Sequence, residues 1–481
     1  RIAIFFGKWY NHFREFFQGG RRLREKLTKS LISLAEHCPE PLYLVGGSVR
    51  DYLAGTLSPA PDWDLASPMA EEKFLSAAEQ SGLEVRAVYP ATGTVKLKDG
   101  EGAEYEFTRF RSDTYVRGMH APAETEFTRD IKKDAVRRDF CANAVYYDIQ
   151  KDEFIDPLGG IPDIQKHILR TVAPAKKVFG EDGLRLMRLA RIAAETGFSP
   201  DEECLEGARA NHMLIRDIVP ERIFQELCRI LSSDEKAGGE DGPYRGLSLL
   251  RETGVLREIA PELALGDGLD QRKDFHKYDV LEHSLRCVRY APPDIRFAAL
   301  LHDVGKPYCF YRDGNFHAHP EEGARIAGEM LSRWKAPKKL TEETKTLILL
   351  HMRDFDLNMR ESKVRRELIA HYPLLKKLFA LKQADFSACR DDTSPAPTVV
   401  KWEGVLQKMK AEGAPLTLSE LAVTGKDALN AGIPPHEVGN VLHLLLFDCA
   451  LSMAKNERAA LLKRLTKLAQ KYLEKENICP D

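Results

Sequence analysis

The sequence predicts an α+β protein, an α/β head of about 130 residues followed by an all-helical remainder. Three observations carry this reading. Short runs between about residues 42 and 112 alternate apolar and polar side chains, as half-buried strands do. A glycine pair, Gly46-Gly47, stands between one such run and a helix-like stretch. From Phe179 onward the apolar residues recur almost entirely at helical spacing.

The N-terminal RIAIFFGKWYNHFREFF is aromatic and basic. Lys8, His12 and Arg14 interrupt its apolar stretch, so it reads as an amphipathic helix packed on the protein or a poorly ordered extension rather than a membrane segment. Leu23, Leu27, Leu31 and Leu34 then predict one helix over 22–38, which completes an N-terminal region of residues 1–40. LYLVGG (42–47) is a strand ending in glycines, and SVRDYLAG opens a helix that stops at Gly55. WDLAS, VRAVYPATGTVKLKD, YEFTRFRS and, further on, CANAVYYDI read as strands. Breaks at 157–162 (PLGGIP), 238–243 (GGEDGP), 266–268 and 394–397 (SPAP) punctuate the rest. They suggest a head at 41–165, a helical neck at 166–265, a further helical domain at 266–395 and a tail at 396–481.

A chain that is 43% hydrophobic and 30% charged has enough apolar residues for packed cores, which excludes global disorder. The net charge of −2 offers no overall attraction to a polyanion, so a nucleic acid has to be held by local basic patches. Nine cysteines without a C-x-x-C pair argue against a disulfide framework or a zinc ribbon and fit a reducing, cytoplasmic setting. No apolar run reaches the ~18 residues needed to span a bilayer.

Three features of the head point to one chemistry. In Gly46-Gly47-Ser48-Val49-Arg50-Asp51, glycines at a strand-to-helix turn let the backbone approach a phosphate, and Arg50 adds a forked cation one turn in. In Asp62-Trp63-Asp64, two carboxylates at i and i+2 of a strand share a face and call for a cation between them. Magnesium is the hard, oxygen-seeking ion for that place, and a second one would activate an attacking hydroxyl. In Arg137-Arg138-Asp139-Phe140-Cys141-Ala142-Asn143, two arginines beside an acid suit a triphosphate and a ribose. Glu106, in YEFTRF, is the candidate third carboxylate.

GGSVRD, DWDLAS and RRDFCANAV, in that order, resemble the class II tRNA nucleotidyltransferase and poly(A) polymerase family. The head resembles the DNA polymerase beta type of nucleotidyltransferase fold. The likeness continues through DPLGG (156–160), FGEDGLRLMRLARIAAETGF (179–198) and ELAVTGKDALNAGIPP (420–435), covering about residues 40–465. It implies that Asp62 and Asp64 hold the catalytic magnesium, and that Gly47, Arg50 and Arg138 bind the nucleotide. It further implies that Asp182, Arg185, Arg188 and Arg191 line the base and triphosphate pocket. Trp63 stands for a usual aliphatic residue, Cys141 for a usual Thr and Gly183 for a usual Pro or Ala, and none of these removes a functional group. The loop 111–127 departs in detail from the family's flexible loop. Independently of the resemblance, Asp182, Arg185, Arg188 and Arg191 fall three apart, so successive members are neighbours on a helix.

The second half reads KYDVLEHSL, ALLHDVGKP, FHAHPEEGA, LLHMRDFD and LKQADFSA from Lys277 on. His302-Asp303 in an apolar helix needs a cation or a hydrogen-bonded partner, because a buried acid is costly alone. With His283 and Asp385 it forms the H…HD…D set of the HD phosphohydrolase superfamily, which this stretch resembles. His319 and His351 complete a two-metal set whose mixed imidazole and carboxylate ligation suits a divalent transition metal. Lys306 and Arg353 nearby are candidates to hold a phosphate. In the tail, Gly425-Lys426-Asp427 opens a helix and Asn456-Glu457-Arg458 follows; the resemblance implies tRNA contact there.

The expected activity is addition of C, C and A to a tRNA 3′ end from CTP and ATP, without a template and with pyrophosphate released. A poly(A) polymerase is disfavoured by the Glu181-Asp182…Arg185 pattern and the lack of a long basic tail. An HD phosphohydrolase with a merely RNA-binding head is disfavoured by intact Asp62, Asp64 and Arg138.

Overall fold

The computed structural model describes residues 23–114, 124–235, 239 and 241–478. The expected amphipathic segment at 1–22 and the centre of the 111–127 loop lie outside the described residues. The chain separates into two compact units, one running to Ala264 with Arg333–Lys335, the other made of Leu265–Ser332 and Ala336 onward.

The first nine strands of the first unit are, in order, β1 (Tyr43–Val45), β2 (Trp63–Ser67), β3 (Glu84–Tyr89), β4 (Thr94–Lys98), β5 (Glu104–Arg109), β6 (Arg111–Thr114), β7 (Glu124–Phe127), β8 (Tyr146–Asp148) and β9 (Glu153–Ile155); two more, Ile168–Leu169 and Ser199–Pro200, pair with each other further on. Seven of the nine form one sheet in the order β3-β4-β5-β2-β1-β8-β9, while β6 and β7 make a separate hairpin. Within the sheet only β2 and β5 run parallel. Alternation in β2 sends Trp63 and Leu65 into the core and leaves Asp64 on the other side, half-buried. Phe74 of the Glu71–Gln80 helix stacks on Phe107 of β5 and covers the sheet. Val45, Ala66, Phe110 and Tyr146 share a buried cluster with Val172 and Val178, which fastens the Ala175–Glu181 helix to the head.

Two local expectations are corrected. The helix over 22–38 is a 3-10 turn at Leu23–Lys26 and a separate helix at Lys29–His37. Thr28 divides them: its backbone is extended, and its hydroxyl accepts the Leu31 N–H as an N-cap. In CANAVYYDI only Tyr146–Asp148 is strand, because Cys141–Asn143 turns in a 3-10 conformation. The Asn143 amide donates to Asp139 Oδ1 at 3.1 Å there, a local bond that competes with a ladder.

The second unit is helical throughout its described residues. Val280–Tyr290 packs along Leu375–Arg390, burying Leu281, Leu285 and Val288 with Leu378, Leu381 and Ala388. Arg296–Leu301 and Lys338–Leu350 join this core. Gly305 lets two backbones meet, since a Cβ there would lie 2.3 Å from the His319 carbonyl oxygen. No helix among the described residues is long and apolar enough to cross a membrane.

Candidate functional site

The first site is assembled around β2. Asp64 is paired in register with Glu106 of the parallel β5 and with Val45 of β1, the residue before the glycine turn. Gly46 has φ +87°, and a Cβ on it would lie 2.7 Å from Asp64 Oδ2, so only a glycine lets the turn lie against this carboxylate. Asp62 is exposed and precedes the first residue of β2, so the expected i, i+2 pair is not held within one strand. Burial pushes the Asp64 carboxyl up to about 6; Arg138 draws it down, and Glu106 and Asp62 raise it further. Three carboxylates that repel one another beside a glycine turn are a fitting cradle for a hard divalent cation.

The arginines around this cluster are fixed by acids. Asp134, wholly buried, takes Arg137 Nε at 2.7 Å, Arg138 Nη2 at 3.1 Å and the Tyr146 hydroxyl at 2.6 Å. Arg138 also donates to the Tyr146 hydroxyl at 3.1 Å. Asp139 receives both Nε and Nη2 of Arg188, at 2.8 and 2.5 Å. Burial would raise the Asp139 carboxyl, but Arg188 and the Asn143 amide hold it well below the usual range. Arg50, expected to fork onto a triphosphate, is 5% exposed and bonds Asp51 and the Asn143 side-chain oxygen, the latter at 2.7 Å. It therefore braces the Gly47–Leu53 helix against the Cys141–Asn143 turn.

The spaced row on the neck is divided among different tasks. Asp182 lies between the Ala175–Glu181 and Leu184–Thr196 helices with extended backbone, and its Oδ1 accepts the Leu184 N–H at 2.9 Å. Arg185 donates to the carbonyls of Val178 and Arg137, both at 2.9 Å, which ties the helix start to the head. Arg188 reaches Asp139. Arg191 instead is buried between Glu195 (3.0 Å) and Glu226 (2.7 Å), both on neck helices.

The second unit brings all six HD-type residues together. His283 Nε2 lies 3.2 Å from His302 Nε2 and 3.0 Å from Asp385 Oδ1. Asp303 presents Oδ2 to His302 (3.2 Å) and Oδ1 to His319 (3.4 Å) and His351 (3.8 Å). His319 and His351 face each other through Nε2 at 3.3 Å. The Nδ1 of His302, His319 and His351 lies 2.8, 2.8 and 2.6 Å from the carbonyls of Ala299, Phe316 and Ile348. A carbonyl only accepts, so each Nδ1 carries a proton, and Nε2 is the nitrogen left facing the cluster for a metal to take. Asp303 is wholly buried, and its Oδ2 is ion-paired with Lys306 Nζ at 2.7 Å while its Oδ1 faces the two imidazoles of His319 and His351. The donors fall into two sets, His283–His302–Asp385 and Asp303–His319–His351, each compact enough for one ion. Lys306, expected to meet a phosphate, is held by Asp303 and by Gln271, each at 2.7 Å.

Residues 42–170 match the Poly A polymerase head domain, 197–265 the probable RNA and SrmB-binding site of polymerase A, and 278–381 the HD domain. A Xanthomonas campestris multifunctional CCA protein is 32% identical over 345 residues, which are 68% of this chain and 79% of that protein. An A-adding tRNA nucleotidyltransferase of Deinococcus radiodurans is 30% identical over 434 residues, 85% and 91% of the two chains. The chain belongs to the tRNA nucleotidyltransferase and poly(A) polymerase family. A solved Bacillus stearothermophilus CCA-adding enzyme in complex with CTP shares the fold, with a TM-score of 0.65 at 24% identity, covering 94% of this chain and all of that one.

For a tRNA nucleotidyltransferase, the sequence reading passed over several residues that organise the sites. Asp134 and Tyr146 hold Arg138, and the signal was available: Asp134 precedes Arg138 by one helical turn. His276 and Cys389 lie within 4.8 Å of His283 in a further donor group. Cys389 follows Asp385 by four positions on the same helix, so it shares that residue's face. In the tail, Asp427 closes the helix start itself, bonding the Thr424 N–H and pairing with Arg458.

Proposed function

We propose that this chain adds C, C and A to the 3′ end of tRNA, taking CTP and ATP and releasing pyrophosphate, in the cytoplasm. The observation that supports this most is the registered pair Asp64–Glu106 with the Gly46 turn lying against the Asp64 carboxylate. Asp62, Asp64 and Glu106 are the residues to hold Mg2+, which when bound supplies charge neutralisation at the reacting phosphate. The N–H groups that follow Gly46 and the cations Arg138 and Arg188 attract the triphosphate. Arg50 acts by fixing the turn. Asp182 only accepts, so it matches the amino group of cytosine or adenine and mismatches the carbonyl oxygen of uracil and guanine, while Arg185, committed to the Val178 and Arg137 carbonyls, fixes the helix start beside it. On this reading the head is 41–165, the neck 166–265 carries the base-reading residues, the HD domain is 266–395 and the tail 396–481 meets tRNA.

Supplying a tRNA that lacks its 3′ end with CTP, with ATP and with both tests the proposal. Two C residues with CTP and three nucleotides with both are expected. A single A on a tRNA already ending in CC, with no C added, would place the chain with its A-adding relative instead.

The HD cluster supports a second activity. Six inward donors, three of them imidazoles with Nδ1 engaged by a carbonyl, favour a divalent transition metal pair, and such a pair supplies Lewis acidity toward a small phosphoester such as a 2′,3′-cyclic phosphate. Hydrolysis of a phosphodiester panel with added metals checks this; no bound metal together with no turnover overturns it.

A further inference from the structure

His283 differs from the other three histidines of the HD cluster. Its Nε2 faces His302 and Asp385, but its Nδ1 has no hydrogen-bond partner although the residue is 0% exposed. An orphaned nitrogen in such a place is costly and calls for an explanation. The surroundings supply one. The His276 ring stands edge-on to the His283 ring with centroids 4.9 Å apart, and His276 Nδ1 lies 3.5 Å from Cys389 Sγ. One donor atom from each of His276, His283 and Cys389 falls within 4.8 Å of the others.

The backbone holds this group in place. The Lys277 N–H donates to the Cys389 carbonyl at 2.9 Å, and the Arg390 guanidinium donates to the carbonyls of Phe275 and Asp274. His276 is thus fixed on both sides to the end of the helix that also carries Asp385. His276 and Cys389 are half-buried while His283 is wholly buried, so the group opens outward from the HD cluster and a cation can enter it.

We propose that His276, His283 and Cys389 form a third cation site, of thiolate and imidazole character, bordering the HD cluster and sharing His283 with it. Its donor set selects a borderline-soft ion, zinc(II) foremost, whereas the carboxylate-bearing sets beside it suit harder transition metals. Binding breaks the Cys389 S–H bond. Where His283 Nε2 already serves the main cluster, it also breaks the His283 Nδ1–H bond, and both protons go to solvent. The bound ion then locks the His283 ring, so the outer site governs how firmly the inner one is built.

The test is on the full-length protein, stripped of metal and reloaded. With cobalt(II), a thiolate-to-cobalt charge-transfer band is expected in the near ultraviolet, absent from Cys389→Ser and His276→Ala. With zinc(II), elemental analysis is expected to show about one equivalent more in the wild type than in Cys389→Ser. Zinc(II) is also expected to slow alkylation of Cys389 in the wild type at least tenfold by mass spectrometry, a measurement that needs no variant to fold. Equal stoichiometry, no thiolate band and unprotected Cys389 overturn the proposal. Metal retained at the main cluster without a thiolate band removes the third site and leaves the hydrolase reading standing. A thiolate band without phosphoester turnover does the reverse.

Discussion

Asp134 is a buried carboxylate that stays ionised. Burial alone would raise its pKa, but Arg138 and Arg137, with the Tyr146 hydroxyl, hold it at about 2. A folded pKa below the unfolded 3.8 means that the stabilisation is complete above pH 4 and is lost as the pH falls toward 2. Its size is about 2 kcal/mol, at 1.36 kcal/mol per pKa unit. Asp134→Asn is expected to lose at least that much at neutral pH and to flatten the acid limb between pH 4 and 2 in urea titrations. An unchanged acid limb would mean that Asp134 is not the group titrating. Under the proposed function, Asp64 serves the chemistry rather than stability. Asp64→Asn should cut nucleotide addition roughly a thousandfold or more, a catalytic loss of several kcal/mol, while tRNA binding by filter retention persists. Near-normal addition by that variant would sink the assignment of the head. Asp182→Ala is expected to admit UTP and GTP while slowing CTP and ATP, because rejection of a mismatched base by buried polar groups reaches factors of roughly 10⁴. Single-nucleotide addition assays decide it, and full discrimination in the variant moves base choice to other residues.

At the scale of elements, the strand–glycine–helix unit holds the strictest local requirement. Gly46→Ala forces a Cβ against Asp64 Oδ2 at a positive φ, and the strain is of order 1–3 kcal/mol. Nucleotide addition should collapse while circular dichroism stays native; a fully active alanine variant would show that the turn has slack. This unit was legible in the sequence because its signals are local: an apolar run, two glycines, a helix pattern. The HD residues were legible for a different reason, since histidines and acids in apolar stretches have few structural excuses, and the structure gathers all six although His302, Asp303 and His351 lie just past helix ends rather than inside helices. What the sequence hid was partnership across elements. Glu106 meets Asp64 only through the β2–β5 register, and nothing near Glu106 announces which strand it pairs with. Arg191 sits at the same spacing as Arg185 and Arg188, yet Glu226 on another helix claims it. Arg50 likewise answers to Asn143, far along the chain. The helix expected over 22–38 broke at Thr28 because apolar spacing is blind to a side chain that caps.

At the scale of the whole molecule, the two sites lie in different compact units. His302→Ala should therefore strip metal from the HD cluster and abolish any phosphoester hydrolysis, yet leave the rate of CCA addition within about twofold, as expected for independent sites. Parallel assays of both activities on one preparation check this, and a joint loss would reveal coupling between them. The β2–β5 pairing has one further consequence. Because side chains alternate across a sheet, a slip of one residue between these strands brings Tyr105 or Phe107 to the place of Glu106 and turns the carboxylate away. Such a chain still has a sheet, a helical neck and a normal circular dichroism spectrum, but no third acid beside Asp64. Specific activity after refolding is therefore a count of correctly registered molecules, a yardstick of folding fidelity that spectroscopy of the same sample does not provide.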